Sequence, residues 1–276
     1  MAAMARLRLR GVTAIVAATL ATAWASRASA YRPFDGTDAD VADFGNFELE
    51  LGPVGWYSQG AGRYLVAPAT VLNLGFARGW EVVTDFQNFV GLEPLPGQAR
   101  VQLLETDVLL KALIVPGSLQ GVGRGPSAAA EFGPLLPNVN GEEGVGASCD
   151  LIVSERWPGL VVHANNWVQL TRGTRHLDWF EGVILEGSLE SAFRPVGELF
   201  VEHEWVAGIT TWSGLIGGIW RARDDLDLDV GLREARIGEE RTTEVRLGLT
   251  WTLGVWKPEE PAGHGASPHR QFALRQ

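Results

Sequence analysis

Cysteine is nearly missing from this chain: Cys149 is the only one in 276 residues. No intrachain disulfide can form, and a cysteine-rich metal site is excluded. Long apolar runs are missing too. Nothing beyond the first thirty residues comes near the roughly 18 consecutive apolar residues of a membrane-spanning helix, and no stretch carries helical periodicity. Positive charge is scarce, with 23 Lys and Arg against 33 Asp and Glu and a net charge of −10. That balance argues against a nucleic-acid partner.

The first thirty residues carry an export pattern. Arg6, Arg8 and Arg10 form a basic head, Gly11 to Ala25 is a short apolar run, and Ala28-Ser29-Ala30 is a small-residue cleavage site before Tyr31. Residues 1–30 are therefore expected to be a signal peptide. Its removal would take away Arg6, Arg8, Arg10 and Arg27 and no acid, which makes the mature chain more acidic still.

Alternation fills most of the rest. In Val245-Arg246-Leu247-Gly248-Leu249-Thr250-Trp251-Thr252-Leu253 every second residue is large and apolar. Period two over nine residues matches a tilted strand crossing a bilayer. Phe47, Leu49 and Leu51 interleave with Glu48 and Glu50. Leu104, Thr106, Val108, Leu110 and Ala112 interleave with Glu105, Asp107 and Lys111. Leu226, Leu228, Val230 and Leu232 interleave with Asp225, Asp227, Asp229 and Arg233. About twelve strands are expected, near 44–51, 63–76, 80–90, 100–115, 127–136, 144–156, 159–171, 176–189, 193–204, 209–221, 224–234 and 243–255. Pro68 interrupts the second, and 159–171 fits neither parity throughout, which points to a bulge there.

The expected fold is all-β: a single antiparallel transmembrane β-barrel over 44–256. Residues 31–43 form a periplasmic lead and 257–276 a flexible tail. Tight turns are expected at 77–79, 157–158, 191–192 and 223–224, and longer loops at 52–62, 91–99, 137–143 and 235–242 on the opposite rim. The Gly-rich connection Pro116 to Pro126 breaks that rule and reads as mobile. Its Gly121, Gly123 and Gly125 do not lead from a strand into a helix, so they make no phosphate loop. Trp56, Trp80, Trp179, Trp205 and Trp251 lie near strand ends, as interfacial aromatic girdles do.

Several segments resemble one known family. Leu103–Leu113 (LLETDVLLKAL) is similar to the D-x-x-L-x-x-K strand of the outer-membrane transporter family known as the MetA-pathway of phenol degradation family. Ala128–Asn140 (AAAEFGPLLPNVN) resembles its G-x-x-x-P-T-G strand and loop, with Asn138 and Asn140 departing from the pattern. Arg156-Trp157-Pro158-Gly159-Leu160 followed by Asn165, Pro195–Trp205, and Gly217–Arg221 followed by Asp225–Asp229 are similar to its later hairpins. The resemblance spans about 40–256. It implies an outer-membrane barrel that passes or senses small, often hydrophobic compounds.

Alternation forces the charges inward, since charge on the lipid face costs several kcal/mol near the midplane, roughly 2–4 for Arg or Lys. The inward acids are expected to be Glu48, Glu50, Asp85, Glu105, Asp107, Glu131, Asp150, Asp178, Glu198, Glu202, Glu204, Asp227 and Asp229, with Lys111, Arg233 and Arg246 as their counterparts. Glu105, Asp107, Lys111, Glu198, Glu202, Asp227 and Asp229 are the expected pore-lining filter. Glu198, Glu202 and Glu204 share a face that His203 does not, so a common metal site is disfavoured. His163 with Asn165 and either Ser148 or Ser191 would be needed for a barrel lipase, but no motif places a nucleophile. The expectation is a non-enzymatic passive channel with no cofactor or metal. Its partners would be outer-membrane lipid, a small solute and the barrel-assembly machinery. A plugged structural or sensing barrel is the alternative, and an outer-membrane lipase a weaker one.

Overall fold

The computed structural model describes residues 32–256; the expected signal peptide and C-terminal tail lie outside the described residues. Twelve antiparallel strands close into one barrel in which each strand bonds its neighbours in sequence and the last closes on the first. They are β1 (Asn46–Gln59), β2 (Gly62–Ala77), β3 (Trp80–Glu93), β4 (Val101–Val115), β5 (Ser127–Leu135), β6 (Gly146–Trp157), β7 (Leu160–Leu170), β8 (Leu177–Gly187), β9 (Phe193–Glu204), β10 (Ile209–Arg223), β11 (Leu226–Ile237) and β12 (Glu240–Gly254). Closure leaves no sheet edge unpaired. Among the described residues there is no helix.

The alternation sorts side chains as the sequence requires. Leu199 and Ile216 are 72% and 68% exposed on the outer face, while Asp227 and Thr250 are fully buried on the inner one. In β12, Val245, Leu247, Leu249, Trp251 and Leu253 point out, and Glu244, Arg246, Thr250 and Thr252 point in. The outer face is thus predominantly apolar, interrupted by the paired Asn166 and Glu181, with Trp80, Trp157, Trp205, Trp212 and Trp220 exposed toward its margins.

Three readings of the strands change, and the interruption expected at Pro68 is present. The segment 52–62 is not a loop: β1 runs to Gln59 and only residues 60–61 connect it to β2. Gly52-Pro53 breaks the alternation without ending the strand, and the β1–β12 register shifts between Leu51 and Val54. Pro68 lies within β2, where the β2–β3 register shifts between Val66 and Ala69. Likewise 235–242 is strand except for residues 238–239. The bulge expected in 159–171 is absent, because β7 pairs with β6 and β8 without a shift. Its parity looked wrong because Val161 points inward and is fully buried, while Asn166 points outward.

A bulge does occur in β4. Asp85 faces Asp107 and Gln87 faces Leu104, so Glu105 and Thr106 together oppose Phe86. Glu105 has a φ of 54°, a left-handed backbone that is uncommon for a non-glycine residue. The shift turns Leu104 to the same face as Gln87, away from the outward set to which plain alternation assigned it.

Both ends of the barrel wall emerge at one rim, with connections 78–79, 116–126, 158–159, 188–192 and 224–225. The other rim carries 60–61, 94–100, 136–145, 171–176, 205–208 and 238–239. The expected contrast between short and long connections is therefore weak. Connection 116–126 is tied down rather than loose: Leu119 donates its N–H to Ser127 Oγ at 3.1 Å, and Ser118 donates its N–H to Gly125 O at 2.8 Å.

The largest departure concerns residues 32–45. Instead of leading up to the barrel from outside, they turn into it. Ala42 N–H donates to Glu81 Oε2 (2.6 Å), Ala39 N–H to Ser154 Oγ (2.8 Å) and Thr37 N–H to Asn165 Oδ1 (2.8 Å). The wall makes room for this chain. A Cβ on Gly75 would overlap the carbonyl oxygens of Ala42 and Asp43, and one on Gly231 would strike the Pro33 ring. Ala39 and Leu119 close a small apolar core with Ala129, Ile152 and Val161. Phe34 packs on a second, formed by Val196 and Ile219.

A charged lumen floored by the N-terminal segment

The N-terminal segment is held by charge. The Glu198 carboxylate accepts the N–H groups of Asp35 (2.9 Å) and Gly36 (2.7 Å). The Asp35 carboxylate lies between Arg246 (2.8 Å) and Arg233 (3.2 Å), and Arg246 also donates to Pro33 O (2.7 Å). Arg32 approaches Asp229 at 3.7 Å. Lys111, itself buried, reaches Glu81 (3.5 Å), Asp38 (3.9 Å) and Thr37 Oγ1 (3.2 Å). Burial would raise the Asp35 carboxyl, but the two guanidiniums outweigh it and hold it below its ordinary value. Asp40 moves the other way, to about 6, through burial and then the nearby charge of Asp38.

A second buried network stands behind the first. Arg194 is 1% exposed and bridges Glu186 to Asp227, the latter at 2.8 Å. Glu186 lies 3.5 Å from His163 Nε2, and His163 Nδ1 is 2.9 Å from Ser154 Oγ. The His163 partner is thus Ser154, not Ser148 or Ser191, the serines a lipase reading would need. Ser148 instead faces the cavity, and Ser191 sits in the 188–192 connection. Serine, histidine and glutamate stand in line, yet Ser154 is fully buried beneath Ala39 and accepts its N–H. What this line does is fasten the segment.

Above the segment lies a cavity of about 450 Å³, floored by Arg32, Phe34, Asp35, Gly36 and Thr37. Of the residues expected to line a route, Glu105, Asp107, Lys111 and Glu202 do face this cavity. Glu198 instead grips the segment, Asp227 is sealed against Arg194, and Asp229 faces Arg32. Ten carboxylates line the space against five basic side chains, so its field favours cations over anions. Those bases are largely occupied: Arg233 and Arg246 by Asp35 and Glu244, Arg172 by the carbonyls of Leu136 and Thr106.

The fold has solved counterparts. An outer membrane channel from Pseudomonas putida F1 aligns over 80% of this chain and 99% of its own length, with a TM-score of 0.58 and 8% identity. The KdgM porin aligns over 74% and 98%, with a TM-score of 0.49 and 11% identity. The CymD monoaromatic hydrocarbon channel aligns over 77% and 89%, with a TM-score of 0.40 and 8% identity. No family model matches the chain, and no curated protein matches it in sequence. At such identities the likeness is one of architecture.

Sequence reasoning missed Arg194, Glu186, Ser154, the gripping side of Glu198 and the part Asn165 plays in seating the segment. Of these only Glu198 was read as an inward charge; Glu186 and Arg194 were not named among the inward groups. The readable signal was apolar: Ile152, Val161, Ile184 and Ile219 occupy inward positions that a water-filled lumen would not favour. The carboxylates Glu198, Glu202 and Glu204 and the outward His203 fall as period two requires, and among the described residues no acid or histidine group is arranged to hold a metal ion.

Proposed function

We propose that this protein is an outer-membrane barrel that passes small molecules passively, without covalent chemistry, through a lumen narrowed by residues 32–45. The observation that carries the reading is the pairing of a predominantly apolar outer face with a charged, cavity-bearing interior. A closed barrel with those two faces satisfies every strand hydrogen bond within a bilayer while turning most of its charges away from lipid. The architecture shared with the Pseudomonas putida channel supports the location. In that setting outer-membrane lipid covers the apolar band, the barrel-assembly machinery inserts the chain, and the rim bearing both ends faces the periplasm. The order of motifs over 40–256 supports placing the chain with the MetA-pathway of phenol degradation family and its small, hydrophobic or aromatic solutes.

One observation favours a second reading, a plugged structural or sensing barrel: the segment seated in the lumen on Glu198 and Asn165. Liposome swelling separates the two. Proteoliposomes of the full chain should swell in small sugars and amino acids and stop at a sharp size limit. Folded, heat-modifiable protein that gives no swelling with any solute would establish the plug and refute passage.

A further inference from the structure

One row of inward-facing residues links seven adjacent strands. Glu81 faces Lys111, Lys111 faces Glu131, Glu131 faces Asp150, Asp150 faces Trp167, Trp167 faces Phe180, and Phe180 faces Glu202. Strands lie about 4.8 Å apart, so each step brings the next side chain within reach of the last. Every member lines the cavity. Lys111, second in the row, is engaged by Glu81 and Asp38.

The middle of the row is unusual for a lumen. Trp167 and Phe180 stack with ring centroids 4.9 Å apart and planes 8° from parallel, and Phe200 adjoins Phe180 at 4.8 Å. Asp150 and Glu202 bracket this aromatic panel in register, one on each side. Glu202 and Glu131 face the cavity with no hydrogen bond or ion pair among the described residues. Across the space, Asp85 Oδ1 is buried without a hydrogen-bond partner.

Each simpler occupant meets an objection. An anion would face the excess of carboxylates. A neutral hydrocarbon would cover the open carboxylates of Glu131 and Glu202 and return nothing for their lost hydration. A metal ion needs converging ligands, and here the acids are spread one to a strand, with no group among the described residues arranged to chelate. What remains is a cation with a flat apolar body. Aromatic faces attract both ring and charge, and carboxylates at either edge complete the ammonium's hydrogen bonds. Arg233 already lies 5.1 Å over Phe200, so the panel holds one cation of the protein's own.

We propose that this cavity is a binding site for small aryl or alkyl ammonium ions, with the apolar body on Trp167 and Phe180 and the ammonium group at Asp150 or Glu202. The inference deepens the passage reading by naming its solute class, and it rests on that reading for its biological sense.

Calorimetric titration of the folded full chain in detergent tests it, with 2-phenylethylammonium, 2-phenylethanol and phenylacetate as probes of one shape and three charges. Saturable binding of the ammonium is expected, with the alcohol roughly tenfold weaker and phenylacetate not binding. Glu202→Gln, Asp150→Asn and Trp167→Leu should each weaken the ammonium roughly three- to tenfold, and the outer-face Glu155→Gln should leave it unchanged. Equal affinity for ammonium and alcohol, no saturable binding, or full affinity in all three lumen variants would overturn the proposal. Should a variant fail to show heat-modifiable migration, the three-probe comparison on the unaltered protein still decides. Conductance recorded separately distinguishes the two readings: current without ammonium binding removes this site and leaves passage, whereas binding without current removes passage and leaves the site.

Discussion

Glu198 accepts two consecutive backbone N–H groups from the N-terminal segment, those of Asp35 at 2.9 Å and Gly36 at 2.7 Å. Both oxygens of one mid-wall carboxylate are thereby committed to one turn of chain more than 160 residues away in sequence. Hydrogen bonds to a charged acceptor contribute about 1.5–3 kcal/mol each. Glu198→Ala should therefore loosen residues 32–37 while the barrel itself stays closed. Limited proteolysis should cleave near Asp35 in the variant and spare the parent. Equal protection in both would place the hold elsewhere.

Arg194 offers a sharper stability test. It is buried between Glu186 and Asp227, and removing one member of a buried ion network costs about 3–5 kcal/mol because the remaining charges lose their partner. Arg194→Met should lower the unfolding midpoint in urea markedly, with Arg194→Lys intermediate. An unchanged midpoint for Arg194→Met would contradict this arrangement.

The outer band carries its own prediction. Leu199 is the most exposed of the large apolar side chains among the described residues, and Leu199→Arg should cost about 2–4 kcal/mol if that face meets the bilayer midplane. Folding yield into vesicles should drop and the unfolding free energy should fall by that amount. The lumen-facing Ser148→Asn should leave both nearly unchanged. If Leu199→Arg were as harmless, the apolar band would not face lipid.

The pH response of the segment has two opposed parts. Asp40 is raised from 3.8 to about 6 by burial and then Asp38, with Lys111 and Gln120 acting against the shift. Its folded form binds more protons than its unfolded form across that interval, so its contribution to stability declines as pH rises from 3.8 to about 6. Asp35 is held below its ordinary value, so its contribution is present above that value and is lost as pH falls through the depressed one. Hydrogen exchange at residues 36–42 should thus show less protection at pH 7 than near pH 4. Asp40→Asn should flatten that difference. A parent profile that is flat from pH 4 to 7 would contradict it.

Much of this wall was legible in the chain. The nine residues Val245–Leu253 sort between the two faces as period two demands, because only backbone pleat and solvent decide them. The misreadings had tertiary causes. Gly52-Pro53 signals a loop locally, yet closure against β12 and β2 carries β1 straight through it. Val161 spoiled the parity of β7 because the segment gives it an apolar partner inside the barrel. Residues 32–43 themselves have no periodicity, since their backbone bonds are made to side chains and not to a neighbouring strand. Glu198 and Asp227 were legible as inward charges, but their partners Gly36 and Arg194 were not, because no sequence spacing links them.

Single-channel recording in planar bilayers bears most directly on passage through a segment-narrowed lumen. The full chain should give small, cation-favouring current steps, and the chain lacking residues 32–43 should give clearly larger ones in the same bilayers. Indistinguishable steps from the two would mean that the segment does not restrict the route. Silent traces from both, with each barrel folded and inserted, would mean that there is no route at all.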